Sequence, residues 1–367
     1  GKSRLQIAAA EGQINLKEGA GMAVEGDAVA EHEEVQKQEI SAAEDWDAPG
    51  EPQDLSSLSA QTEWLNSQQP MGDVDVGPIT APMMSEMLAA NQPVMVDDTN
   101  IINVWKDNLE QAFKDIAEIV QTHPYVAMDT EFPGVVARPY GTFRSHTDYQ
   151  YQTLKCNVDL LRIIQLGLTF SDENGNLHER CTWQFHFTFN LESDIFAQDS
   201  IDLLRKAGVD FEQHQREGID VEEFGGLMMV SGLALCEEVR WISFHSYFDF
   251  GYLVKVLTNS KLPEKESDFF ALLSDYFPCF FDIKYIMKSC ESLKGGLNRI
   301  AETLEVKRVG PSHQAGSDSL VTSLTFFKMA RLFFENNIDE SKYSGVLYGL
   351  GQGSGSGTTT WLAANND

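Results

Sequence analysis

Apolar positions fall into two regimes along this chain. Through residues 1–99 they are scattered and show no sustained period. From about Asn100 onward they become regular. Val104, Trp105, Leu109, Phe113, Ile116, Ile119 and Val120 recur at helical spacing, which predicts a helix ending before Pro124. A short apolar run at 125–129 predicts a strand. A second strand is predicted over 163–170, and Ser171 to Asn176 form a turn signal. Strict alternation over 183–189 predicts a third strand, so the three should make an antiparallel meander. Helical patterns follow near 197–207 and 221–231. A strand at 241–244 runs into a helix near 249–258, and further helices fit 266–276, 295–304 and 317–335. A short strand is expected near 279–283. Strands followed by alternating helices and strands predict one α/β domain over 100–350, with a mixed central sheet flanked by helices.

Composition sharpens the boundary. The formal net charge is −29, from 56 acids and 27 Lys or Arg. Residues 1–100 carry 19 of the acids but only 4 of the Lys or Arg, and two aromatics, Trp46 and Trp64. We expect 1–99 to be a disordered acidic arm with no partner legible in it. Two stretches in it, around Trp64 and over 83–88, have the apolar content to order on a partner. The Gly/Ser-rich 351–367 is expected to be a flexible tail. The overall charge has the wrong sign for broad electrostatic capture of nucleic acid. The five cysteines form no Cys-x-x-Cys pair, which argues against a zinc ribbon or a disulfide frame and suits a reducing compartment. No apolar stretch reaches membrane-span length and no secretory signal pattern is present, so a soluble intracellular protein is expected.

Four acids stand out against this background. Asp129 and Glu131 end the first strand and project to one side of it. Asp249 lies where the 241–244 strand hands over to a helix. Asp318 lies where a Gly-containing turn enters the last long helix. Carboxylates at strand ends and helix starts can converge at one edge of a sheet. Four of them suit two divalent cations, Mg²⁺ or Mn²⁺, of the kind used in two-metal phosphodiester cleavage. His313, five residues before Asp318, is a candidate general base. Taken singly, each has a plainer reading: Asp249 or Asp318 as a helix cap, Glu131 as a surface acid, His313 as a loop histidine. The joint order is more specific than any one of them.

The residues resemble a known family. Met128-Asp129-Thr130-Glu131-Phe132-Pro133-Gly134, Ile163-Ile164-Gln165-Leu166-Gly167, Phe244-His245-Ser246, Asp249-Phe250-Gly251-Tyr252-Leu253 and Gly310-Pro311-Ser312-His313-Gln314-Ala315-Gly316-Ser317-Asp318 are similar to the CAF-type deadenylases. These are DEDD exonucleases of the histidine-containing subclass, in the CCR–NOT complex. The resemblance spans about 101–350. It implies an RNase H-like fold and 3′-to-5′ removal of mRNA poly(A) tails with release of 5′-AMP. It implies that Asp129, Glu131, Asp249 and Asp318 are metal ligands and His313 is the base. It also implies a NOT scaffold as partner, often with a second deadenylase subunit beside it. Cytoplasmic residence is expected, and the sequence leaves nuclear residence open. Arg138, Lys284, Lys288 and Lys294 are candidate RNA contacts, and His245 is expected to be structural. One departure stands out: Tyr247-Phe248 occupies the place of the family's Gly-Tyr. A glycine there could serve a positive φ or a close RNA approach, which keeps a catalytically weak adaptor as the alternative.

Overall fold

A central apolar strand with acids at its end needs cover on both faces, and the fold supplies it. A computed structural model describes residues 101–350. The acidic arm (1–99), with its Trp64 and 83–88 stretches, and the 351–367 tail lie outside the described residues. In chain order the first elements are β1 (Ile101–Val104), α1 (Leu109–Ile119), β2 (Tyr125–Glu131), α2 (His146–Leu160), β3 (Gln165–Ser171) and β4 (Leu177–His186). Next come α3 (Gln198–Lys206), α4 (Phe211–Glu217), α5 (Val221–Val230), β5 (Arg240–Ser243), α6 (Tyr247–Thr258) and α7 (Glu266–Tyr276). The last are β6 (Phe280–Asp282), α8 (Ile283–Ile286), α9 (Leu297–Thr303), α10 (Ala315–Phe333) and α11 (Glu340–Tyr343).

The strands form one six-stranded mixed sheet in the order β1-β4-β3-β2-β5-β6. β2, β3 and β4 make the expected antiparallel meander. β5 joins β2 in parallel and β6 joins β5 in parallel, while β1 lies parallel to β4 at the far edge. Side-chain alternation assigns the two faces. Val126 and Met128 of β2, with Trp241 and Phe280, enter a core shared with α1, α2, α5, α6 and α7. Ala127, Ile242 and Phe281 enter the opposite core with α8, α9, α10 and α11. Asp129 and Glu131 have the parity of Ala127, so they end the strand on the α10 face. β3 is buried at all seven positions, as a central strand covered on both sides must be.

Small residues let α10 lie close to the sheet. Gly167 of β3 pairs with Asp129. A Cβ at Gly167 would lie 1.9 Å from the Ala315 carbonyl oxygen and 2.7 Å from the Gly316 nitrogen. Farther along, Thr169 Oγ1 is 2.9 Å from both Thr182 Oγ1 and Ser319 Oγ. The start of the helix is thereby seated directly beside the acidic end of β2.

Several elements differ from expectation. Val104 belongs to β1, not to the first helix, which starts only at Leu109. Pairing of β1 with residues 182–185 outweighs the local helical spacing there. β4 begins at Leu177, six residues earlier than its alternation suggested, and ends at His186; Phe187 then bridges to Ile219. The helices α2 and α4 had no counterpart in the sequence reading.

Candidate active site

The acid-bearing strand and two helices meet at one end of the sheet. Among the described residues, Asp129, Glu131 and Asp318 present carboxylate oxygens that all lie within 4.8 Å of one another. Asp318 is in the first turn of α10 but does not cap it. Its Oδ2 accepts the His313 N–H at 2.8 Å, and its Oδ1 pairs with Arg308 Nη1 at 2.7 Å. The opening turn of α10 is satisfied by glutamines instead. Ala315 N donates to Gln165 Oε1 at 3.2 Å and Gly316 N to Gln184 Oε1 at 2.8 Å. The Gln165 and Gln184 amides both donate to Gln314 Oε1, at 3.0 and 2.9 Å. These bonds satisfy helix N–H groups that would otherwise be buried and unpaired, and they tie Asp318 to β3 and β4.

Asp249 does not join the close group of three. Its Oδ1 accepts both the Thr130 N–H at 2.8 Å and the Thr130 hydroxyl at 2.7 Å. Thr130 lies between Asp129 and Glu131 on β2, so these bonds fix Asp249 beside the cluster, against the strand edge. Neither Asp249 nor Asp318 therefore has the helix-capping role that was the plainer reading.

Asp282 is an organising acid that sequence reasoning missed. It is fully buried at the end of β6. Its carboxylate accepts N–H groups from His245 at 2.8 Å, Ser246 at 3.4 Å, Lys284 at 2.9 Å and Tyr348 at 2.9 Å. It thus holds the β5–α6 junction that delivers Asp249. His245 has a φ of 56° and His313 a φ of 62°. Each is a left-handed residue just before an acid-bearing helix, a conformation histidine tolerates better than bulkier residues. His245 has the structural place expected of it, and its ring meets Tyr247 and Tyr348 edge-on.

Tyr247 does not carry a positive φ; it opens α6 as an ordinary helical residue. Its ring packs 5.0 Å from that of Phe248. The backbone demand for glycine feared at this position is absent.

The electrostatics are those of acids forced together. Burial raises the Asp129 and Glu131 carboxyls well above the usual carboxylate range, and the charges of Asp318 and Asp249 raise them further. Burial pushes Asp249 up to about 6, even though the Thr130 bonds favour its ionised form. Buried carboxylates that resist ionisation side by side, offering only hard oxygen donors, fit divalent cations such as Mg²⁺ or Mn²⁺.

Of the candidate RNA contacts, Lys284 Nζ donates to the Gly295 carbonyl at 2.8 Å, and Lys288 Nζ lies 4.8 Å from the Tyr348 ring centre. Lys294 and Arg138 are exposed. Besides Asp282, sequence reasoning missed Thr130, Arg308 and the three glutamines. Thr130 could have been found, since it sits between the two acids at the end of the strand. Arg308 gave no signal, because its nearness to Asp318 arises only from the turn between them.

Comparison with known proteins now bears on this arrangement. The model described as CAF1 family ribonuclease matches residues 104–224 and 220–326. The chain belongs to the CAF1 family of ribonucleases. A relative named "Probable CCR4-associated factor 1 homolog 7", from Arabidopsis thaliana, is 56% identical over 262 residues, covering 70% of this chain and 94% of that protein. The poly(A) ribonuclease pop2 of Schizosaccharomyces pombe is 51% identical, covering 71% of this chain and 77% of that protein. The solved structure of S. pombe Pop2p in its Mg²⁺- and Mn²⁺-bound form matches with a TM-score of 0.67 and 52% identity, over 68% of this chain and all of that one. A yeast CAF1 co-crystallised with the NOT1 MIF4G domain matches with a TM-score of 0.59 and 34% identity, over 70% of this chain and all of that one. The RNase H-like architecture expected of a CAF1 domain is the one found: counted from β2, the five strands from β2 to β6 lie in the order 3-2-1-4-5.

Proposed function

We propose that this chain is a 3′-to-5′ exoribonuclease that shortens poly(A) tails hydrolytically and releases 5′-AMP, working within a CCR–NOT-type assembly. The observation that carries the reading is the convergence of Asp129, Glu131 and Asp318 within 4.8 Å, with Asp249 held beside them. The poly(A) ribonuclease named among the relatives supports the substrate, and the NOT1 co-crystal of a CAF1 supports a NOT scaffold as partner.

Asp129, Glu131, Asp249 and Asp318 would hold two divalent cations. Such ions supply Lewis-acid activation of water and charge neutralisation at the leaving oxygen. The chain's own residues do the rest. Thr130 orients Asp249, while the His313 N–H and Arg308 orient Asp318, so the ligand oxygens need little reorganisation on binding. The His313 imidazole would take the proton of the attacking water; its backbone N–H donates to Asp318 Oδ2, which sets this residue next to a metal-ligand carboxylate. The acidity of the rest of the chain keeps non-specific RNA affinity low and leaves recruitment to protein partners. One ground for the adaptor alternative falls away, because Tyr247 opens a helix without a positive φ; the other, the bulk of its ring near Asp249, is tested by the Tyr247→Gly variant.

The test is a comparison of turnover on poly(A), mixed-sequence RNA and single-stranded DNA. Preferential, stepwise loss of 3′ adenosines supports the reading. Equal turnover of all three would refute the poly(A) assignment, and none on any substrate would restore the adaptor.

A further inference from the structure

Arg308 has no part in the chemistry above beyond its contact with Asp318, yet its guanidinium is held by three side chains at the edge of the site. Nη1 lies 2.7 Å from Asp318 Oδ1 and 3.0 Å from Ser317 Oγ, and Nη2 bonds Asn298 Oδ1 of α9. The Arg308 side chain is 21% exposed and that of Asp318 11%, so solvent screens the pair poorly. The Ser317 hydroxyl is itself fixed, donating to the Val309 carbonyl at 2.6 Å. The guanidinium is therefore clamped between α9 and the first turn of α10. With the His313 N–H on Oδ2, both oxygens of Asp318 are engaged by protein donors.

Two physical consequences follow. Without a cation, three converging carboxylates repel one another, and a fixed positive charge at their edge offsets part of that repulsion. With cations, the same positive charge opposes their entry. Four carboxylates balance two divalent ions, so the guanidinium leaves the loaded site with a net positive charge toward a phosphodiester.

We propose that Arg308 is a positioning residue and a built-in counter-cation: it holds Asp318 in place and steadies the acidic cluster before metal binds, while weakening the binding of the first divalent ion. The proposal rests on the metal-site reading of the acids, and its test separates the two. The full chain is titrated with Mn²⁺ by calorimetry, and its melting is followed in EDTA, for wild type, Arg308→Met and Arg308→Lys. Met keeps the apolar stem and removes the charge. Arg308→Met should melt lower than wild type in EDTA, yet bind Mn²⁺ about 3- to 10-fold more tightly. Arg308→Lys keeps the charge and loses the fork, so it should bind Mn²⁺ within about twofold of wild type. A residue that only orients Asp318 would give the opposite sign, because losing an orienting partner weakens metal binding. Equal or weaker Mn²⁺ binding by Arg308→Met overturns the proposal. So does tightening of equal size in both variants, which would exclude charge as the cause. If Arg308→Met does not fold, Arg308→Lys binding Mn²⁺ more than threefold tighter overturns it. Wild type that binds no Mn²⁺ would sink the metal-site reading itself.

Discussion

Gly167→Ala is the smallest change that should separate the two halves of the site. Gly167 faces Asp129 across the β2–β3 pair, and the start of α10 rests on it. A Cβ there would lie 1.9 Å from the Ala315 carbonyl oxygen and 2.2 Å from its carbon, where ordinary contact begins at 3.4 Å. The obstacle is backbone, so no rotamer change relieves it. The helix start, and Asp318 with it, must move by about 1.5 Å, or β3 must bend by as much. Overpacking of this kind typically costs about 1–3 kcal/mol. At roughly 2–4 °C per kcal/mol for a domain of this size, the melting temperature should fall by about 2–12 °C. A displacement of about 1 Å among reacting groups costs on the order of 100-fold in rate. We therefore expect kcat on oligoadenylate to fall by about that factor, with weaker Mn²⁺ binding. Gly226→Ala is the control: it lies in α5 with no atom within 4 Å of its added Cβ, so it should be neutral or stabilise by up to about 1 kcal/mol. The assay is calorimetric melting beside single-turnover kinetics. A Gly167→Ala protein with wild-type melting and turnover would refute the reasoning that close seating of α10 aligns the carboxylates.

Other outcomes follow from the same geometry. Asp249 is raised from 3.8 to about 6 in the folded chain. A raised acid favours the folded state while protonated, and that advantage is lost as pH climbs through about 6. Metal-free Asp249→Asn should thus melt higher than wild type at pH 8, by at most about 3 kcal/mol, with the gain shrinking toward pH 5 and turnover abolished. A lower melting temperature at pH 8 would contradict the burial argument. Thr130→Val removes one of the two donors to Asp249, so the acid limb of the pH–rate profile should move to higher pH; an unmoved limb would show that Asp249 does not set it. Tyr247→Gly should leave turnover on oligoadenylate unchanged and lower stability by more than the about 0.5–1 kcal/mol that Gly costs in a helix, because the ring's packing on His245 and Phe248 is lost as well, as measured by melting. A large gain in turnover would mean that the ring obstructs the site.

What the sequence revealed was the chemistry carried by strongly local patterns. Asp129 and Glu131 close an apolar run and Asp318 enters a long helix, so both acid-bearing elements were legible, as was the α/β class. β1 was not, because its four residues continue into a helical period and owe their strand state to β4, far along the chain. α2 was missed because its buried positions, Tyr151, Leu154, Asn157 and Val158, include a polar one. Asn157 is buried to serve backbone: it accepts from Val136 and Ala137 and donates to the Ala137 carbonyl, fixing the loop after β2. Such long-range polar work has no period to detect. The same holds for Asp282, which looks like a strand-end acid and instead collects four N–H groups. Nor did any local pattern announce that Thr130 holds Asp249 beside the closer group of Asp129, Glu131 and Asp318.

The most direct measurement is a time course on 5′-labelled RNA ending in an oligoadenylate tail, run with Mg²⁺ or Mn²⁺, with EDTA, and with Asp129→Ala. Stepwise shortening from the 3′ end is expected, slowing at the first non-adenosine, stopping in EDTA and absent in the variant. Shortening that persists in EDTA or in Asp129→Ala, or RNA left intact with both metals present, would contradict it.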